Sequence, residues 1–121
     1  EKAVSLLRHS LEIFAHLEDS LGVARCNVQL GEAYKGLFRL GSALRKLETA
    51  RQLFEERDEM YGAAKAALGI AETLELLDHY PEALGYARWG LEELLKLGHE
   101  DTYDVEEFVN SLRRIARKGG P

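Results

Sequence analysis

The residues best suited to bind a metal in this chain lie on its first predicted helix. His9 and His16 are seven residues apart with Glu12 between them, so an α-helix places all three on one face. Imidazole nitrogens and carboxylate oxygens are ligands that Zn²⁺ accepts. Such a set also arises readily on the polar face of an ordinary helix, and we favour that interpretation. We therefore expect no metal and no cofactor.

The remaining residues form no catalytic motif. The single cysteine, Cys26, excludes an internal disulfide and a CxxC metal site. On the flank of a helix, a lone thiol is more typical of a small core residue than of a nucleophile. The 11 glycines are scattered and form no phosphate-binding loop. The sequence thus predicts a protein that is not an enzyme.

The composition is typical of a soluble globular domain. Hydrophobic residues make up 45% and charged residues 31% of the 121 residues, as in globular proteins. The net charge of −5 disfavours nucleic acid as a partner, because phosphate binding needs an excess of Lys and Arg. No apolar run approaches the roughly 20 residues that cross a bilayer, so we expect no membrane partner. The lone thiol fits a reducing compartment, and we predict a cytoplasmic location.

The chain repeats itself at an offset of 40 residues. The matches run through two successive predicted helices and the break between them, which indicates a helical repeat. The matched pairs are Leu7/Leu47, Phe14/Phe54, Gly22/Gly62, Leu30/Ile70, Gly31/Ala71, Tyr34/Leu74, Leu37/Leu77, Ala43/Ala83 and Leu44/Leu84.

Breaks in the pattern divide one domain, 1–121, into repeats. We predict the outer helix of a truncated repeat at 1–18, full repeats at 21–57 and 61–97, and a capping helix at 102–118. Ser42 is expected to cap the third helix, Pro81 to lie in the first turn of the fifth and Gly98 to end it. Because the chain opens directly on a helical pattern, we expect a fragment of a longer protein.

A helical wheel separates two layers of helices. The second and fourth helices carry small residues on both flanks and leave one narrow polar stripe, which is typical of inner helices packed between close neighbours. Gly69 falls on that stripe in the fourth helix. The first, third and fifth helices have wider apolar faces and bulky charged outer faces. Alternating inner and outer helices predict an all-α, right-handed solenoid of antiparallel helix pairs.

Several residues resemble the tetratricopeptide repeat. Leu30-Gly31, Tyr34 and Ala43 match the family pattern, whereas Leu47 stands in place of the usual Phe and Asn27 in place of Trp. The spacing is 40 residues rather than about 34. The resemblance, which covers about 1–98, implies that the inner helices line a concave groove holding a partner peptide or helix.

The polar stripes of the inner helices are the predicted partner-binding surface. A basic residue is followed by an acidic one in both repeats, Arg25/Glu32 and Lys65/Glu72, which suits a protein or peptide partner of mixed charge. The alternative is a solvated helix face. A different function, the regulatory or oligomerisation arm of a larger bacterial signalling or transcription regulator, also stays open. The candidate groove residues are Arg25, Val28, Gln29, Glu32, Lys35, Lys65, Leu68, Glu72, Glu75 and Leu76.

Three further surfaces follow from the pattern. Tyr86 and Trp89 on the fifth helix are a secondary partner contact or, as we favour, pack against a loop or the sixth helix. The apolar stripe of the sixth helix predicts a cap on the last repeat. Apolar side chains on the first helix, among them Leu6 and Leu17, predict a homodimer through the open N-terminal end.

Overall fold

The computed structural model describes residues 1–99 and 102–118, and these fold into six α-helices. No strand occurs within these two ranges. The chain is an all-α solenoid, as the sequence predicted. The helices are α1 (Lys2–His16), α2 (Ser20–Gly36), α3 (Leu40–Glu56), α4 (Met60–Leu76), α5 (Tyr80–Lys96) and α6 (Tyr103–Arg117).

The turns repeat every 20 residues, half the period seen in the sequence. In the turn after α2, the N–H of Phe38 donates to the carbonyl of Lys35 (3.0 Å) and the N–H of Arg39 to that of Tyr34 (2.9 Å). This pair of bonds is a Schellman motif, which requires a positive φ at one residue. Among the residues that the structure describes, positive φ occurs at Glu18, Phe38, Asp58, Asp78 and Gly98.

The helix ends correct one prediction. Ser42 was predicted to cap α3, but α3 begins at Leu40 and its N-cap residue is Arg39. Ser42 therefore lies inside the first turn, and within 1–99 no side chain caps this helix. The Schellman turn aligns the chain through backbone hydrogen bonds, so no side-chain cap is needed there. Pro81 lies in the first turn of α5 as predicted.

Small residues allow the inner helices to pack closely on both flanks. Five alanines of α4 have 0% of their surface exposed. At the family's tryptophan position, the buried Asn27 donates from Nδ2 to the carbonyl of Val23 (3.0 Å), so this polar side chain is satisfied by its own helix. The predicted close approach of neighbouring helices is confirmed. The five alanines are Ala63, Ala64, Ala66, Ala67 and Ala71.

Helices α2 and α4 form one layer. Each helix packs against its chain neighbours, and α2 also contacts α4 directly; across the described helices, no comparable backbone approach joins α1 to α3 or α3 to α5. Closer spacing on the α2–α4 side makes that side concave. The helical wheel placed Gly69 on the solvent-exposed stripe of α4, but the structure buries it. A Cβ atom added at Gly69 would lie 3.1 Å from Glu32 Oε1 and 3.2 Å from Leu47 Cδ2.

Candidate partner-binding groove

The concave surface formed by α2, α4 and the start of α6, here called the inner groove, contains two cavities. The first, the Arg25 cavity, has a volume of about 420 Å³. Arg25 and Lys65 supply positive charge, and Lys65 Nζ lies 6.0 Å from the centroid of the Tyr61 ring. That ring stacks on His99 with centroids 4.7 Å apart. The lining residues are Arg25, Val28, Gln29, Phe54, Glu59, Tyr61, Gly62 and Lys65.

The second cavity, the Glu72 cavity, has a volume of about 260 Å³ and adjoins the first at Lys65. Glu32, Glu72 and Asp104 supply three carboxylates here against the one ammonium group of Lys65. The Arg25 cavity has two cationic groups against the one carboxylate of Glu59, so the two linings differ in the sign of their net charge. Apolar side chains from α4 and α6 lie among the carboxylates of the Glu72 cavity. The lining residues are Glu32, Lys65, Leu68, Gly69, Glu72, Asp104, Val105 and Phe108.

An ion pair connects the two inner helices beside the Glu72 cavity. Lys35 Nζ on α2 lies 2.8 Å from Glu32 Oε2 and 2.9 Å from Glu72 Oε1 on α4. Burial lowers the pKa of Lys35, but the hydrogen bonds and charges of the two carboxylates outweigh burial, so the pKa is raised. Lys35 therefore bridges the carboxylates of Glu32 and Glu72 at the edge of the groove.

Seven of the ten predicted groove residues line the two cavities. They are Arg25, Val28, Gln29, Glu32, Lys65, Leu68 and Glu72. Lys35, Glu75 and Leu76 lie outside both cavities as the described residues line them. Burial, and secondarily the charge of Glu72, raise the pKa of the Glu75 carboxyl. Leu76 is exposed near the end of α4.

Helix α6 contributes groove residues that the sequence analysis missed. Asp104, Val105 and Phe108 line the Glu72 cavity, whereas the analysis treated this helix only as a cap. The alternation of inner and outer helices could have predicted this, because α6 follows the outer helix α5 and therefore belongs to the inner layer. Its apolar stripe also packs on α5 through Val109 and Leu112.

Tyr86 and Trp89 lie on the other side of the molecule. Trp89 packs on an alanine-rich core cluster that includes Ala50 and Ala63, a surface that the sequence analysis did not name. Both aromatic residues also line a cavity between α3 and α5. They are therefore neither fully buried nor part of the inner groove.

The histidines of α1 line an open surface with Glu12. Within 1–99 and 102–118, no group of three or more His, Cys, Asp or Glu side chains is placed to hold a metal ion. Cys26 is buried, and burial raises the pKa of its thiol. None of the described helices combines the length and apolar character needed to cross a membrane.

The α1 end of the solenoid exposes apolar side chains. Leu6 and Leu17 each have 67% of their surface exposed, and Ile13 is also exposed. Such a patch is a surface for association. Self-association through this end stays a prediction.

Fold and groove together define a helical-repeat protein. A solved structure titled "Crystal Structure of the Apo Form of RapI" has a similar fold, with a TM-score of 0.86 at 16% sequence identity. The similarity covers 95% of this chain and 42% of the RapI chain. No family model matches the sequence, and no curated protein matches it. The helical-repeat fold is confirmed, while the tetratricopeptide family stays a resemblance.

Proposed function

We propose that this chain is a protein-interaction module that binds a partner peptide or helix along the inner groove. The observation that supports this most directly is the pair of adjoining cavities of opposite charge. A segment with an acidic side chain beside Arg25 and a basic side chain beside Glu72 would meet complementary charge at both places.

The shape of the surface suits an elongated partner. Stacked repeats create extended concave surfaces, and the two cavities here follow one another across α2, α4 and α6. Val28 and Leu68 are half-buried in the floor, and Phe108 is half-buried at the α6 side. An apolar residue between the two charges of the partner would cover these side chains and gain free energy from burial.

Selection from a random peptide library tests the proposal. We expect peptides selected on the wild-type protein to carry an acidic and a basic residue separated by a short apolar stretch. The double substitution Arg25→Glu/Lys65→Glu should weaken their binding by more than about tenfold, because like charges would then face each other. Fluorescence anisotropy of labelled peptides measures the affinity.

A matched variant separates local contact from overall charge. Arg45 and Arg88 are exposed on the outer helices α3 and α5, so Arg45→Glu/Arg88→Glu changes the net charge equally without touching the groove. We expect this variant to bind the selected peptides as the wild type does. Equal weakening by both double substitutions, or unchanged binding by the groove variant, would rule the proposal out.

A further inference from the structure

A third cavity, here called the Trp89 cavity, opens on the outer face between α3 and α5. Its volume is about 340 Å³, and the proposed groove function does not use it. Helix α5 supplies most of its wall, and α3 supplies two charged residues. The lining residues are Arg51, Glu55, Glu82, Gly85, Tyr86 and Trp89.

The repeat itself does not require these residues. Forty residues earlier, Lys46 and Thr49 occupy the positions of Tyr86 and Trp89, and α3 still packs as an outer helix. At Gly85, where α3 has an arginine, no atom of the described residues lies within 4 Å of an ideal Cβ. The missing side chain leaves the aromatic wall accessible. Both aromatic residues pack in part on core clusters, but each is only half-buried and also faces this cavity.

The charges around the cavity are unbalanced. Arg51 pairs with Glu48, at 2.5 Å between Nη2 and Oε1, and also with Glu55. The Tyr86 hydroxyl donates to Glu48 Oε2 (3.2 Å). The Glu82 side chain is 69% exposed, with His79 Nδ1 3.8 Å from Oε1. Three carboxylates against one guanidinium leave a surplus of negative charge beside the aromatic rings.

We propose that the Trp89 cavity binds an arginine side chain of a partner protein. A guanidinium group is planar, so it stacks on an aromatic ring while its N–H groups donate to carboxylates at its edge. Tryptophan offers the strongest cation–π surface of the aromatic side chains. The protein already contains one such arrangement, because Arg51 Cζ lies 5.9 Å from the centroid of the Tyr86 ring. Glu82 is placed to accept from the incoming group.

Trp89 is the only tryptophan of the chain, so its fluorescence reports directly on the cavity. The probe is a short peptide of alternating glycine and arginine, and the matched control peptide carries citrulline, which is neutral and nearly isosteric, at each arginine. We expect saturable quenching of the fluorescence by the arginine peptide. Binding of the citrulline peptide should be weaker by a factor of about 2–5, as expected for the loss of a cation–π contact at an exposed site.

Two single substitutions on α5 locate the contact. Glu82→Gln removes a carboxylate at the cavity, whereas Glu92→Gln removes an exposed one outside it. We expect Glu82→Gln to weaken binding of the arginine peptide by a factor of about 2–5, the range of one exposed ion pair, and Glu92→Gln to leave it unchanged. Arg25→Glu/Lys65→Glu should also leave it unchanged, which separates this cavity from the inner groove.

The other outcomes overturn the proposal. Fluorescence that does not respond to millimolar arginine peptide means that the cavity does not bind a guanidinium group. Equal binding of the citrulline peptide means that the contact is not cationic. Equal effects of the two Gln substitutions mean that only the net charge of the protein attracts the peptide.

Discussion

The two helix pairs α2–α3 and α4–α5 fill equivalent positions with different volumes. In the first pair, a Cβ at Gly31 would lie 2.6 Å from Leu47 Cγ, so a glycine makes room for a leucine. The residues 40 positions later are Ala71 and Ala87, both with 0% of their surface exposed. A larger residue on one helix is thus matched by a smaller residue on the other.

A second exchange runs in the opposite direction. In the second pair, a Cβ at Gly90 would lie 3.1 Å from Leu68 Cδ2. The equivalent residues of the first pair are Ala50 and Val28, and Val28 packs on the cluster that contains Ala50. The second exchange conserves the summed volume, because Gly90/Leu68 and Ala50/Val28 each have four side-chain carbons. The first exchange does not, because Gly31/Leu47 has four side-chain carbons and Ala71/Ala87 has two.

A double-mutant cycle tests the first exchange and should give the largest effects. Leu47→Ala leaves a cavity and should cost about 2–5 kcal/mol in the free energy of unfolding. Gly31→Ala overpacks the contact and should cost about 1–3 kcal/mol. The double variant recreates the Ala71/Ala87 pairing, so Gly31→Ala should cost less there than beside Leu47. The Ala43 carbonyl oxygen, 3.3 Å from the added Cβ, stays in place, and the better helix propensity of alanine, up to about 1 kcal/mol, opposes the cost of that contact.

Urea denaturation followed by far-UV circular dichroism measures these free energies. Gly36→Ala is the control, because no atom of the described residues lies within 4 Å of an ideal Cβ there and the substitution should be neutral or stabilising. If Gly31→Ala costs the same with Leu47 and with Ala at that position, the exchange of volumes does not explain the difference between the two pairs.

These exchanges explain what the sequence predicts and what it hides. The 40-residue offset reveals the solenoid because small and apolar residues recur at matching places. The offset does not reveal the 20-residue period of the turns. Each turn is held by backbone hydrogen bonds, so its positive-φ position can be a phenylalanine (Phe38) or an aspartate (Asp78). The offset also hides Asp104 and Phe108 as groove residues because α6 begins three residues later than a 40-residue repeat predicts.

The turns that follow the two inner helices offer a second test. Phe38 has φ of 59° and 71% of its surface exposed, whereas the equivalent Asp78 has φ of 62° and accepts a hydrogen bond from the Tyr80 hydroxyl (2.8 Å). Left-handed backbone costs a bulky residue about 1–2 kcal/mol, and glycine adds about 0.5–1 kcal/mol of lost freedom. Phe38→Gly should therefore stabilise the protein by about 0.5–1 kcal/mol, which raises Tm by about 2–4 °C.

Asp78→Gly is the matched variant. Aspartate tolerates the left-handed region better than phenylalanine does, and its replacement also removes the bond to Tyr80, so we expect no gain in Tm. A fall in Tm on Phe38→Gly would show that the exposed ring stabilises the fold through contacts stronger than the backbone strain.

The smallest effect is expected where the two inner helices carry opposite charge at one repeat position, Lys35 and Glu75. Lys35 is stabilised between two carboxylates, and its raised pKa means that it stabilises the fold below its unfolded pKa of about 10.4. That contribution is lost as the pH rises through the folded pKa. Glu75 lies near Glu72 instead, and its raised carboxyl pKa means that its ionised form opposes folding.

Glu75→Gln should thus stabilise the protein near neutral pH, because it removes a half-buried charge facing another carboxylate. The gain should be at most about 0.5 kcal/mol, since the group is partly exposed and screened by solvent. Below the unfolded carboxyl pKa of about 4.3, Glu75 is protonated in both the folded and the unfolded state, so the gain should vanish. Lys35→Met, measured in the same thermal unfolding series, should instead lower Tm near neutral pH. A gain from Glu75→Gln that persists in acid would assign the effect to packing of the amide, and the contrast in charge between the two positions would then be wrong.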